Sequence, residues 1–152
     1  MRTYSRATWA SALCLAALPM LASAADPIAI ADGEAPGTSV QVHQLKVSNG
    51  TAMLKFTIIN NGTQALSTGT LQGENDYRSV SGVYLVDTAH QKKYLVMYDT
   101  ANQCVCSRGL PDIAPKSSMN LWAKFPAPPD GVTKIGVVVP HFEPLDDVAI
   151  SR

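Results

Sequence analysis

Short runs in which apolar and polar residues alternate dominate the chain from about residue 38 onward. In "MLKFTIIN" the apolar residues Leu54, Phe56 and Ile58 recur at every second position, which places them on one face of a β-strand. In "SVQVHQLKV" the alternation changes phase between Val42 and Leu45. A phase change inside a strand indicates a bulge or a bend. These patterns predict extended strands that each bury one face.

The same pattern continues in the second half of the chain. "SVSGVYLVD" and "KKYLVMYD" are β-branched and aromatic runs joined by "TAHQ", and together they predict a β-hairpin. "SMNLWAKF" alternates with period two, so Trp122 is predicted to face away from Leu121 and Phe125. "KIGVVVP" and "LDDVAIS" predict two further short strands.

The distribution of strand and turn signals predicts the fold class. Residues 25–152 contain no sustained 3.6-residue apolar period, and the ten prolines and ten glycines fall mostly between the apolar runs. Seven to eight short strands separated by turns predict an all-β, immunoglobulin-like antiparallel β-sandwich. A closed β-barrel is the alternative architecture.

The N-terminal segment has a different composition. Two arginines near the start precede an apolar run, and that run ends in Ala-Ser-Ala at residues 22–24. This order is typical of a secretory signal peptide, which we predict at residues 1–24. We expect residues 25–37, rich in Ala, Asp, Gly and Pro, to be a loose leader, and residues 38–152 to form the domain. The protein is therefore expected to be exported and to be periplasmic or extracellular.

Charge and hydropathy limit the classes of partner. The predicted signal peptide contains two of the 12 basic residues and none of the 12 acidic residues, so the remainder has ten basic and 12 acidic residues and a net charge of −2. A nearly neutral chain gives no electrostatic reason to expect a nucleic acid as partner. No second long apolar run follows the first, so we expect no membrane span after signal cleavage.

Motifs for catalysis, cofactors or metals are not found in the sequence. There is no G-x-S-x-G or H-E-x-x-H pattern, and no cofactor is predicted. His43, His90 and His141 lack the spacing of a metal motif, although histidines distant in sequence can converge in space. The acidic residues between 143 and 147 lack the spacing of a calcium loop and are interpreted as a solvated loop. An enzyme whose site is assembled only in three dimensions stays open.

Aromatic residues in the predicted strands have two interpretations. Tyr84, Tyr94, Tyr98 and Trp122 all lie in strand patterns. Such residues usually serve as core residues or as cross-strand partners. If they are exposed together, they instead mark a binding face. We favour the core interpretation for these residues.

Two cysteines in "NQCVCSRG" are the main candidates for site chemistry. Loss of the signal peptide removes Cys14 and leaves Cys104 and Cys106, and an oxidising compartment favours a disulfide between them. A regular strand separates the two Cα atoms by about 6.6 Å, close to the upper limit of about 6.8 Å for a disulfide, so the backbone should pucker at Val105. Free or redox-active thiols, or a Cu(I) site with Met97 or a histidine as a further ligand, are the alternatives.

Residues 80–151 resemble a known family. The segments "VYLVDTAHQKKYLVMYDTANQCVCSRGL" and "LWAKFPAPPDGVTKIGVVVPHFEPLDDVAIS" combine a hairpin, a C-x-C-S motif, an F-P-A-P-P motif and a strand that ends in proline. They resemble an immunoglobulin-like module of secreted bacterial proteins, similar to modules that precede OmpA-like peptidoglycan-binding domains in some actinobacteria. The resemblance implies a sandwich fold in the cell envelope and transfers no catalytic residue.

The sequence as a whole predicts a secreted cell-envelope protein that acts as a non-enzymatic binding or interaction module. Its partner is expected to be a protein or a cell-wall component. The alternatives are a periplasmic copper-handling protein that uses Cys104 and Cys106, and an enzyme with a site assembled in three dimensions.

We expect the exported protein to begin at Ala25, because the small residues at 22 and 24 form the cleavage pattern of a signal peptidase. Intact-mass spectrometry of protein recovered from the export compartment measures this directly, with the cytoplasmic precursor as the control. An exported form that retains Met1 contradicts the prediction.

Overall fold

The computed structural model describes residues 26–74 and 76–152. The predicted signal peptide at residues 1–24 and Cys14 lie outside the described residues. Within the described part of the chain, no helix has the length and apolar character needed to cross a membrane.

Two antiparallel sheets of four strands each make up the described fold, and the all-β prediction is confirmed. The first sheet has the order β1-β2-β3-β6 and the second has the order β5-β4-β7-β8. This is the two-layer arrangement of a β-sandwich. The strands are β1 (Ala29–Asp32), β2 (Thr38–Ser48), β3 (Thr51–Asn60), β4 (Tyr84–Asp87), β5 (Lys92–Leu95), β6 (Ser117–Pro126), β7 (Lys134–Val138) and β8 (Leu145–Ala149).

The long hairpin of β2 and β3 confirms the predicted bulge. The two strands pair residue by residue except at His43, where the register shifts. Because His43 is an extra residue, Val42 and Leu45 both face the interior although they are three positions apart. The turn is Asn49-Gly50, and both residues have positive φ, as a two-residue hairpin turn requires.

The core lies between the sheets and is made of the inward residues predicted by the period-two pattern. Phe56 of β3 and Phe125 of β6 are fully buried, as are Leu85 and Val137 of the second sheet's central strands. The predicted hairpin of β4 and β5 is present, with β4 beginning only at Tyr84. Alternation along the strands therefore separates a continuous apolar interior from an outer face on each sheet.

The prediction of a loose leader at residues 25–37 is wrong, because β1 lies within it and pairs with β2. This strand is held mainly by its backbone: the Ile28 N–H, just before it, donates to the Val42 carbonyl at 2.7 Å. Ile30 keeps 59% of its surface exposed, and only Ala31 of this strand is buried. A strand that buries so few side chains leaves almost no periodic signal in the sequence.

The side of the sandwich where β5 and β6 lie is closed by a ring of backbone hydrogen bonds. The Met97 N–H donates to the Lys124 carbonyl at 2.8 Å, and the Lys124 N–H donates to the Val105 carbonyl at 3.0 Å. The Val105 N–H donates to the Met97 carbonyl at 2.8 Å and completes the ring. These bonds connect the chain just after β5 in the second sheet with β6 in the first sheet, through the segment that carries both cysteines.

Replacing Phe56 with alanine should lower the free energy of unfolding by about 3–5 kcal/mol, because the change leaves a cavity between the sheets. Chemical denaturation measures the difference. Ile30→Ala is the control, and its effect should stay within about 0.5 kcal/mol because Ile30 is exposed. Equal effects of the two substitutions would contradict this placement of the core.

Candidate binding face and the Cys104–Cys106 loop

Cys104 and Cys106 are in contact, with sulfur atoms 1.88 Å apart and Cα atoms 5.3 Å apart. The Cα separation is shorter than the value of about 6.6 Å in a regular strand, as the predicted pucker at Val105 requires. The backbones of the two cysteines pair with different neighbours. Cys104 forms an antiparallel β-bridge with Tyr98, and Cys106 forms one with Ala123. Val105 therefore lies where the chain passes from one sheet to the other.

The turn before the cysteines is fixed by Asp99. Its Oδ1 atom accepts hydrogen bonds from the N–H groups of Ala101 and Gln103, both at 2.9 Å. Asn102 adopts a positive φ of 56°, a conformation that asparagine tolerates better than most residues. The polar "DTANQ" sequence thus forms a tight turn that returns the chain to the edge of the sandwich.

A third potential ligand lies beside the cysteine pair. Asp76 accepts a hydrogen bond from the Cys104 N–H to its Oδ2 atom at 3.0 Å. The ligand-capable atoms of Asp76, Cys104 and Cys106 all lie within 4.8 Å of one another. Sequence reasoning missed Asp76 because it lies 28 residues before Cys104, in a loop without a motif. Met97, the methionine considered as a ligand, lies opposite Val105 rather than opposite either cysteine.

The three histidines do not converge in the described structure. His43 bonds Thr57, His90 bonds Asp87, and His141 bonds Glu34. Among residues 26–74 and 76–152, three histidine, cysteine or acidic side chains come close enough to hold a metal ion at one place. They are Asp76, Cys104 and Cys106.

Asp87 is a buried carboxylate with a structural role. Its two oxygens bond the His90 backbone N–H at 3.1 Å and the His90 ring Nδ1 at 2.7 Å. Burial raises the pKa of Asp87, but these hydrogen bonds outweigh burial and hold the pKa below its usual value. The contacts fix the turn between β4 and β5.

A groove lies on the outer face of the first sheet. Its volume is about 590 Å³, within the range of about 300–1,000 Å³ of small-molecule sites. Apolar and basic side chains predominate in its lining, which contains no aspartate or glutamate. The residues that define this groove are His43, Met53, Lys55, Val105, Asn120, Leu121, Trp122 and Lys124.

Strand register creates the groove. Lys55 of β3 lies opposite Trp122 of β6, and Met53 lies opposite Lys124, so all four residues share the outer face. Trp122 keeps 38% of its surface exposed. Val105, from the cysteine loop, also lines the groove.

A short polar network borders the groove. The Thr57 hydroxyl donates to Oδ1 of Asn120 at 2.7 Å, and Nε2 of His43 lies 2.9 Å from the same hydroxyl oxygen. Because the hydroxyl has one proton and gives it to Asn120, Nε2 of His43 is the donor in this arrangement. The bulge at His43 is what brings its ring into this network.

The aromatic residues divide between core and surface. Tyr94 is buried, and burial raises the pKa of its hydroxyl, as the core interpretation expects. Tyr84 is half-buried, with the Lys93 ammonium 3.6 Å from its ring centre. Tyr98 and Trp122 are exposed, so the core interpretation is wrong for these two residues. Trp122 is a cross-strand partner on the outer face instead.

Comparisons of this chain with protein families, with curated proteins and with solved structures found no match. The groove and the cysteine loop are therefore interpreted from their own chemistry.

Reducing Cys104 and Cys106 should lower the free energy of unfolding by only about 1–2 kcal/mol, because a ring of three residues restricts the unfolded chain little. Denaturation with and without reductant measures this difference. The Cys104→Ala/Cys106→Ala variant is the control, and its stability should not respond to reductant. A loss of more than about 4 kcal/mol on reduction would show that the bridge is a major stabilising element.

Proposed function

We propose that the protein is an exported, non-enzymatic binding module of the cell envelope, and that it binds its partner in the groove on the outer face of the first sheet. The observation that carries the proposal is an exposed tryptophan, Trp122, in an apolar groove that is flanked by lysines and contains no carboxylate. A pair of cysteines oxidised to each other belongs to the same proposal.

The strand pairing supports an immunoglobulin-like module. In that fold the strands B and E pair in one sheet, and C and F pair in the other, with G beside F. Taking β2 as strand A, the pairs β3-β6, β4-β7 and β7-β8 correspond to B-E, C-F and F-G. The fourth strand of the first sheet differs, since β1 lies outside β2 and no strand D lies beside β6 among the described residues.

The groove is rigidly supported, which favours a binding role. The Trp122 carbonyl accepts from the Ser107 N–H at 2.9 Å, and the Trp122 N–H donates to the Ser107 hydroxyl at 3.0 Å. β3 fixes the other edge of β6. A preformed surface loses little conformational entropy when a ligand binds.

The lining defines the chemistry of the partner. Trp122 and Met53 offer an aromatic and an adaptable apolar contact, as found in binding hot spots. Lys55 and Lys124 add two positive charges without a compensating carboxylate in the groove. The best fit is a protein segment that presents an apolar side chain next to carboxylates.

Replacing Trp122 with alanine should weaken binding of the partner recovered from envelope extract by at least about 30-fold, because a central tryptophan contributes about 2 kcal/mol or more to such a surface. Trp122 is the sole tryptophan of residues 25–152, so binding is measured by its fluorescence for the wild type and by calorimetry for the variants.

Leu95→Ala is the matched control, since Leu95 is a large apolar residue on the second sheet with 61% of its surface exposed. Its binding should be unchanged. Lys55→Glu should slow association and reduce its dependence on salt. Loss of binding in Leu95→Ala but not in Trp122→Ala would place the partner on the other sheet, and a hydrolytic activity without a partner would favour the enzyme alternative.

A further inference from the structure

The proposed binding groove does not use the group of Asp76, Cys104 and Cys106. Their ligand-capable atoms lie within 4.8 Å of one another. The two cysteines are buried, whereas Asp76 is half-buried and extends the group toward solvent. The group therefore combines two sulfur atoms with a carboxylate oxygen that is partly accessible from solvent.

We propose that Cys104, Cys106 and Asp76 form a redox-controlled site for a thiophilic divalent cation of the zinc class. A dithiol reductant opens the site by thiol–disulfide exchange: the bond between the two protein sulfur atoms breaks, the reductant becomes a disulfide, and two protein thiols form. The cation then displaces both thiol protons and binds two thiolates and one carboxylate.

The geometry suits a tetrahedral ion. Zinc binds cysteine sulfur at about 2.3 Å and carboxylate oxygen at about 2.0–2.2 Å, so neighbouring ligand atoms lie about 3.5–3.8 Å apart. The three ligand atoms are already within 4.8 Å of one another, and rotation of the freed cysteine side chains supplies the remaining adjustment. A water molecule completes the coordination.

Asp76 is held in place before any ion arrives. Its Oδ2 atom accepts from the Cys104 N–H at 3.0 Å, and its backbone carbonyl accepts from the Ser79 hydroxyl at 2.6 Å. The first bond holds the carboxylate against the cysteine loop, and the second fixes the Asp76 backbone relative to Ser79. A carboxylate held in this way is already oriented toward a metal ion bound by the two cysteines.

The ligand set favours a zinc-class ion over the Cu(I) site considered from the sequence. Cu(I) selects thiolate and thioether ligands, whereas zinc accepts both thiolate and carboxylate. Met97, which would supply a thioether, lies opposite Val105 and not opposite a cysteine. Two thiolates and one carboxylate also carry three negative charges, which a divalent cation neutralises better than a monovalent one.

The test uses residues 25–152 reduced with a phosphine and titrated with Co²⁺ as a spectroscopic probe. The reduced protein should bind one equivalent, with thiolate-to-cobalt absorption that Zn²⁺ then abolishes. The oxidised protein should show none of this absorption. Asp76→Asn keeps an acceptor for the Cys104 N–H but removes the charge, and it should weaken Co²⁺ and Zn²⁺ binding at least tenfold.

Asp130→Asn is the control, because Asp130 is fully exposed and pairs with Arg152. Its metal binding should equal that of the wild type. Circular dichroism of each variant verifies the fold, and alkylation of the two cysteines gives a second readout, since bound Zn²⁺ should protect both thiols in the wild type and protect them less in Asp76→Asn.

Two outcomes would overturn the proposal. One is a reduced, folded protein that binds neither Co²⁺ nor Zn²⁺, including the case in which it binds Cu(I) alone. The other is an Asp76→Asn variant with undiminished affinity, which would leave the thiolates as the only protein ligands. Both outcomes are measured without the binding partner, so neither tests the proposal that the oxidised protein binds a partner in the groove.

Discussion

Closure of one side of the sandwich by three backbone hydrogen bonds is the constraint on which both candidate sites depend. The backbones of Met97, Lys124 and Val105 form a ring: the Met97 N–H donates to the Lys124 carbonyl, the Lys124 N–H to the Val105 carbonyl, and the Val105 N–H to the Met97 carbonyl. Unpaired N–H and C=O groups at a sheet edge attract other chains, and this ring satisfies such groups on β6 and beyond β5. Because Val105 belongs to the ring and lies between two cysteines, the groove and the cysteine pair share one support.

Hydrogen bonding, more than the sulfur bridge, determines where the cysteine loop lies. A three-residue disulfide ring contributes about 1–2 kcal/mol, whereas each backbone hydrogen bond contributes about 0.5–1.5 kcal/mol net and costs more when a buried group is left unpaired. Ser107 adds two further bonds to Trp122. The loop should therefore keep its position when the cysteines are reduced, as a site that opens and binds an ion without unfolding requires.

Features that leave a periodic signal could be predicted from the sequence, and features that depend on register or on distant partners could not. The alternation around Phe56 predicted a buried strand face, and the phase change predicted the bulge at His43. The strand at Ala29–Asp32 was missed because it pairs through its backbone and buries little. Asp76 was missed because only the folded chain brings it to the cysteines, and the groove was missed because the pairing of Lys55 with Trp122 arises from register.

The outer face of the first sheet is exposed to solvent and yet carries a large apolar side chain, Trp122. A solvated sheet face normally carries polar side chains, and an exposed tryptophan there risks association with other apolar surfaces. Lys55 and Lys124, placed opposite Trp122 and Met53, oppose that association in the free protein because two copies of the face repel each other. The same charges attract a partner that carries carboxylates. Under the proposed binding role, this pair of lysines both disfavours self-association and favours an acidic partner over a second copy of the chain.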